Sequence, residues 1–321
     1  MLFEKIEAMY RQQVYRRADE NGCVFYFSYK DFEGLHQMAY PFTSTKGHKL
    51  QGYFYYYENY TEDRLVLFEH GMGSGHRGYM REIEMLAKQG YLVFAYDHTG
   101  CMESGGETTG GFVQSLIDLN DAVNALKAHE LYGKWDISVM GHSWGGFSTM
   151  NIGALHPDIS HVVAMSGFYS VEAMLSQAFG GILSFAGKKL YKKEQQANPE
   201  YIGYHAAESL KKFPGKALLI HSEDDKVVRS KKHFDVIKKE LGDRPNIQFL
   251  KVNGKGHNPN YTEDAVKYKD AFFADYQRML KEKKLNTEEE KRTFISKYDW
   301  KRMTEQDKDI WNRIFTFLKE K

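Results

Sequence analysis

The stretch DISVMGHSWGGFSTMNIGALHP, residues 136–157, decides the fold. It opens with a short apolar run, passes through GHSWGG, and continues as a helix-like segment stopped by Pro157. A run of that kind bounded by glycine reads as a buried strand. The segment after it has the length and spacing of a helix, and a proline ends such segments. Ser143 therefore stands between a strand and a helix, with Gly141 and Gly145 two positions to either side. A serine lifted clear of the backbone on so sharp a turn needs small neighbours at those two positions. By itself the G-x-S-x-G pattern is short enough to arise by chance, so its meaning depends on the rest of the chain.

Working outward, the same rhythm repeats. RLVLFEH and YLVFAYD are continuous apolar runs, followed by YMREIEMLAKQG and GFVQSLIDLNDAVNALKAHE with helical spacing. HVVAMSG, KALLIHS and NIQFLKV are further strands, and KKHFDVIKKELG is a further helix. Strands alternating with helices predict a doubly wound, mostly parallel sheet covered on both faces. Upstream, CVFYFSYK, LHQMAYPF and KLQGYFYYYEN have strand composition with glycine and asparagine punctuation, and they predict antiparallel N-terminal strands. Two segments break the rhythm. Residues 168–208 are too long for one crossover helix and predict a helical cap, beneath which a substrate would reach the site. Residues 262–321 predict added C-terminal helices. The core is then 1–167 and 209–321, and the cap insertion 168–208.

In an open parallel sheet, function gathers at the carboxyl ends of the strands. Ser143 sits at one such end. A serine hydroxyl is a weak nucleophile until a base takes its proton. His257, in NGKGHNPNY after the last strand, is placed to be that base. Asp224 and Asp225, in LLIHSEDDKVV, end another strand and supply a carboxylate to orient the imidazole. Glu172 is a more distant candidate. The backbone N–H of Trp144 lies at a helix start, and that of Met72 in the Gly-rich turn HGMGSG. Both could meet a developing oxyanion, with Gly71 supporting the turn.

With these motifs in place the chain resembles an α/β-hydrolase. The elbow is GHSWGG, the oxyanion turn HGMGSG, the acid segment HSEDDKVV and the histidine segment GKGHNP, in the family's order of Ser, Asp, His. The resemblance spans residues 35–260. It implies Asp225 as the acid, because Asp225 precedes one variable and two apolar residues, with Asp224 as the fallback. It also implies acyl transfer to water through an acyl-enzyme on Ser143, without metal or organic cofactor. A carboxylic ester is the expected substrate. An aminopeptidase-type amide hydrolase, a thioesterase and an acyltransferase are the alternatives on the same triad. Amide hydrolysis from the N-terminus would require a cap carboxylate such as Glu172, Glu194 or Glu200.

Two readings belong to other classes. A non-catalytic binding protein of this fold leaves a complete Ser, Asp and His set without a task. Gly73, Gly75 and Gly78 form a G-x-G-x-x-G after a strand, with Asp97 at the end of the next, as in dinucleotide sites. A bulky His76–Arg77 pair precedes the third glycine, and that reading leaves Ser143 unexplained.

Composition narrows the partners. Forty-four basic against 43 acidic residues give a formal charge of +1, so no electrostatic case exists for nucleic acid. Two cysteines, Cys23 and Cys101, make no disulfide framework or zinc motif. The N-terminal residues read as a charged amphipathic helix, which leads to the expectation of a cytoplasmic protein that does not engage membranes. A small ester or short peptide-like substrate is the expected partner, with a homodimer through the C-terminal helices or the cap.

Overall fold

The computed structural model describes residues 2–61 and 63–320. Ten strands carry the fold: β1 (His36–Ala39), β2 (Phe42–Thr43), β3 (Lys49–Leu50), β4 (Gly52–Tyr56), β5 (Arg64–Glu69), β6 (Leu92–Tyr96), β7 (Asp136–His142), β8 (His161–Met165), β9 (Lys216–Ser222) and β10 (Ile247–Val252). Eight of them form one sheet in the order β1-β4-β6-β5-β7-β8-β9-β10. The β1–β4 and β4–β6 pairs are antiparallel, and every pair from β6 to β10 is parallel. β2 and β3 make a separate antiparallel pair.

The strand sequences explain the two-sided core. Along β5, Leu65 and Leu67 enter one apolar cluster while Val66 and Phe68 enter the other. Along β8, Val162 and Ala164 divide from Val163 and Met165 in the same way. Side chains alternate across a strand, so an unbroken apolar run can only be satisfied with both faces covered. The first face is covered by α3 (Gln114–Lys127), α4 (Trp144–Ile152), α7 (Ala206–Lys212) and α8 (Phe234–Leu241). The opposite face is covered by α2 (Met80–Lys88) and by the last helix, α12 (Lys308–Leu318), which buries Ile310, Trp311, Ile314 and Phe317 there.

Residues 168–208 lie between β8 and β9 and hold α5 (Val171–Ala178), α6 (Ser184–Ala197) and the start of α7. The helix α1 (Leu2–Tyr10) lies against α6, and its Tyr10 hydroxyl donates to the buried Glu194 carboxylate at 2.6 Å. Between β10 and α12 the chain inserts α9 (Glu263–Lys281), α10 (Glu288–Ile295) and α11 (Trp300–Met303). Phe272, Leu285, Phe294 and Met303 form a small apolar cluster of their own there, and Cys23 joins it.

That last contact corrects one expectation. Residues 23–30, CVFYFSYK, were predicted as a strand and form none. Cys23 packs into the cluster of the inserted helices, and the Phe25 ring stands 6.3 Å from that of Trp300. The aromatic composition that suggests a pleated surface is satisfied here by helix side chains. No helix among the described residues is long and apolar enough to cross a membrane.

Candidate active site

β7 runs straight into the elbow. Ser143 takes φ 57° and ψ −112°, a left-handed conformation that a residue with a Cβ adopts only under constraint. α4 begins at the next residue. The glycines are required by space: a Cβ on Gly141 would strike the Gly145 carbonyl and the Thr149 hydroxyl, and one on Gly145 would strike the Glu69 carbonyl. The elbow therefore fits only because β5, β7 and α4 approach without intervening side chains.

Ser143 Oγ lies 2.9 Å from His257 Nε2. His257 Nδ1 lies 2.8 Å from Asp225 Oδ2. The other Asp225 oxygen accepts the N–H groups of Val227 at 2.8 Å and Val228 at 2.9 Å. Burial raises the Asp225 pKa, but hydrogen bonds from His221 and His257 and the backbone N–H of Val228 outweigh it and hold the carboxyl well below its usual range. Asp224 has a different partner set: it accepts from the Ser222 hydroxyl and from Gly256 N–H at 3.2 Å. One aspartate faces the imidazole, and its neighbour braces the loop carrying that imidazole. Glu172, on α5, is exposed and makes no contact with His257 among the described residues.

The turn after β5 comes up beside the elbow. Gly71 N–H donates to the Tyr79 hydroxyl at 3.1 Å. Among the described residues no protein acceptor meets the N–H of Met72 or Trp144. Trp144 opens α4, where the first N–H groups have no intrahelical partner. Its indole is fixed separately, donating to the Phe112 carbonyl at 2.5 Å.

Sequence reasoning missed His142, the variable residue of the elbow. Its Nε2–H donates to the His257 carbonyl at 2.6 Å, and its Nδ1 accepts from the Tyr79 hydroxyl at 2.8 Å. Burial, and then the neighbouring His257, push its pKa well below the usual histidine value, so the ring is neutral. No pattern in the one-dimensional sequence marks a residue that acts through a carbonyl more than a hundred positions away.

A cavity of about 730 Å³ opens over Ser143 and His257. Its walls are the N-terminal segment around Arg16 to Phe27, the turn at Met72 to Gly78, and the inserted helices, with Lys269, Phe272, Phe273, Tyr276 and Trp300. Residues 168–208 contribute none of its lining. The approach to Ser143 thus runs beneath α9–α11 and the N-terminal segment, where the sequence suggested the α5–α7 region. Glu172, Glu194 and Glu200 are absent from the walls, and Glu194 is occupied by Tyr10 and by Phe112 N–H.

The Gly73-Gly75-Gly78 turn is closed from within. Asp97 is 1 % exposed and accepts from His76 through both backbone N–H and Nδ1, at 2.9 and 2.8 Å. A Cβ on Gly75 would meet the same carboxylate. The motif packs two loops together where a dinucleotide site would leave that carboxylate open. Among the described residues no group of three or more His, Cys, Asp or Glu is arranged to hold a metal ion.

The sheet order, the elbow and the loops at the carboxyl ends of the strands give the chain the fold of an α/β-hydrolase. Residues 61–203 match the model of the serine aminopeptidase family S33. The uncharacterized protein YqkD of Bacillus subtilis is 22 % identical over 265 residues, covering 80 % of this chain and 84 % of that one. Among solved structures, the Pyrococcus furiosus esterase Pf2001 superposes with a TM-score of 0.59 at 20 % identity, covering 84 % of this chain and 97 % of that one. The Pyrococcus horikoshii acylaminoacyl peptidase gives 0.54 at 17 % identity, covering 71 % of this chain and 39 % of that one.

Proposed function

We propose that the protein is a serine hydrolase that cleaves a carboxylic ester through an acyl-enzyme on Ser143. The observation that carries this reading is the continuous chain Ser143 Oγ–His257 Nε2 and His257 Nδ1–Asp225 Oδ2, at 2.9 and 2.8 Å, open to a cavity. His257 takes the hydroxyl proton as Ser143 attacks the carbonyl carbon. Asp225 keeps the imidazole in the tautomer that accepts at Nε2 and supports the imidazolium that forms. The N–H groups of Met72 and Trp144 receive the oxyanion. The leaving alkoxide takes the proton back from His257, and water activated by the same base then releases the acid.

An aminopeptidase reading has the matched family's name in its favour. Against it, none of the three cap glutamates available to hold a substrate ammonium lines the cavity, and the lining residue that bonds Asn258, next to His257, is the cation Lys269. Ser143→Ala should abolish turnover of p-nitrophenyl butyrate and labelling by a fluorophosphonate, with the circular dichroism spectrum unchanged. Turnover persisting at the wild-type rate would remove Ser143 from the role of nucleophile.

A further inference from the structure

Lys269 reaches from α9 into the cavity wall beside the triad. Its Nζ donates to Asn258 Oδ1 at 2.9 Å, and Asn258 directly follows His257. The ammonium also stands 5.0 Å from the centroid of the Tyr261 ring. An ammonium has three donors, and the asparagine uses one. Among the described residues Lys269 takes part in no ion pair, whereas Lys267 on the same helix pairs with Glu263 at 3.7 Å. The other cations of the cavity differ. Arg17 is spent on Asp19 and on the carbonyls of Met102, Ser104 and Gly106, and Arg77 on Glu20. Arg16 is exposed, as is the acid Asp270 that follows Lys269.

A half-buried charge without a counterion is costly, and an anion placed beside it recovers that cost. Burial accordingly lowers the Lys269 pKa, against the opposing pull of Glu82 and Asp270. The apolar walls around it, from Phe272 to Trp300, keep the local dielectric low and strengthen such a pair.

We propose that Lys269 is the anchor of an anion-binding subsite, and that the preferred substrates are esters bearing a carboxylate close to the scissile carbonyl. This rests on the esterase reading above and deepens it to a substrate class. Lys269 holds the carboxylate as an ion pair, which fixes the ester over Ser143. A neutral ester of the same size has only the apolar walls to orient it.

The test compares kcat/KM for two charged-to-neutral pairs: mono-p-nitrophenyl glutarate against p-nitrophenyl valerate, and 4-carboxyphenyl acetate against phenyl acetate. The first pair places the carboxylate on the acyl side, the second on the alcohol side. In Lys269→Met the charged-to-neutral ratio should fall by about tenfold in at least one pair, and Lys269→Arg should restore most of it. Glutarate at millimolar concentration should also slow fluorophosphonate labelling of Ser143 in the wild type and not in Lys269→Met. Ratios unchanged in both pairs, or equal losses on charged and neutral esters, would overturn the subsite and leave Lys269 as a brace for Asn258. Failure of the esterase reading is seen separately, as absence of turnover of the neutral esters by the wild type.

Discussion

His142 and Ser143 are adjacent in sequence and opposite in demand. Ser143 must be exposed on a strained backbone, while His142 is buried and bonded at both ring nitrogens. The chain Gly71 N–H to Tyr79, Tyr79 to His142, and His142 to the His257 carbonyl ties the oxyanion turn to the histidine loop. His142→Ala should therefore displace His257 without removing it. We expect kcat to fall by about 10- to 100-fold with KM little changed, since an ångström of misplacement costs that much. Because the ring is already neutral, the pH dependence of kcat should keep its shape; steady-state kinetics across pH 6–9 checks both points. Ser143 itself bears the conformational cost. Ser143→Gly should be at least as thermally stable as Ser143→Ala, by up to about 1 kcal/mol, because glycine adopts positive φ without strain. A calorimetric comparison of the two inactive variants measures it.

At the scale of elements, the loop holding His257 is braced from beneath by residues far apart in sequence. Asn260 donates to Glu82 on α2 at 3.0 Å and to Gln306, just before α12, at 2.8 Å. Gln306 in turn accepts from the Trp311 indole at 2.7 Å. Burial raises the Glu82 pKa, so this carboxylate depends on its donors. Asn260→Ala should cost about 1–3 kcal/mol in urea denaturation, the usual penalty for a buried group left unpaired. Esterase activity should fall as well, since the brace sits three residues from His257. Such contacts also explain what the sequence could tell. β5 to β9 were legible because strands buried on both faces must be continuously apolar, and the elbow was legible because only glycine fits beside Ser143. The N-terminal segment 23–30 was misread because its aromatic spacing is the same whether a strand or a helix layer satisfies it. The cavity walls were illegible for a related reason: α9–α11 have no local feature that says they fold back over the carboxyl ends of the strands.

At the scale of the whole molecule, the end of β5, the turn after β6 and α3 meet at a buried charge cluster. His98 is wholly buried, with Nε2 3.3 Å from Glu69 and Nδ1 3.4 Å from Asp118. These are ion-pair separations, longer than well-directed hydrogen bonds. Burial opposes the imidazolium, but the two carboxylates outweigh it and lift the pKa to about 9 from an ordinary 6.5. The neighbouring His70, its ring tilted against that of His98 with centroids 4.4 Å apart, is driven the other way by burial and by the His98 charge, down to about 3. A histidine raised in the folded state stabilises the fold in its protonated form. That contribution is complete below pH 6.5 and is lost as pH rises through about 9. Asp97 acts at the other end: His76 offsets burial and holds it at about 2, so its contribution is present above 3.8 and lost as pH falls toward 2. The thermal midpoint should therefore decline between pH 6.5 and 9 for a reason that His98→Gln removes. The variant should be less stable at pH 6, by about 3–5 kcal/mol, because two buried carboxylates lose their cation. Its midpoint should then be flatter across pH 6.5–9 than that of the wild type. Midpoints measured by calorimetry at half-unit intervals decide the matter: parallel declines in the two proteins would place the alkaline loss elsewhere than in the Glu69–His98–Asp118 cluster.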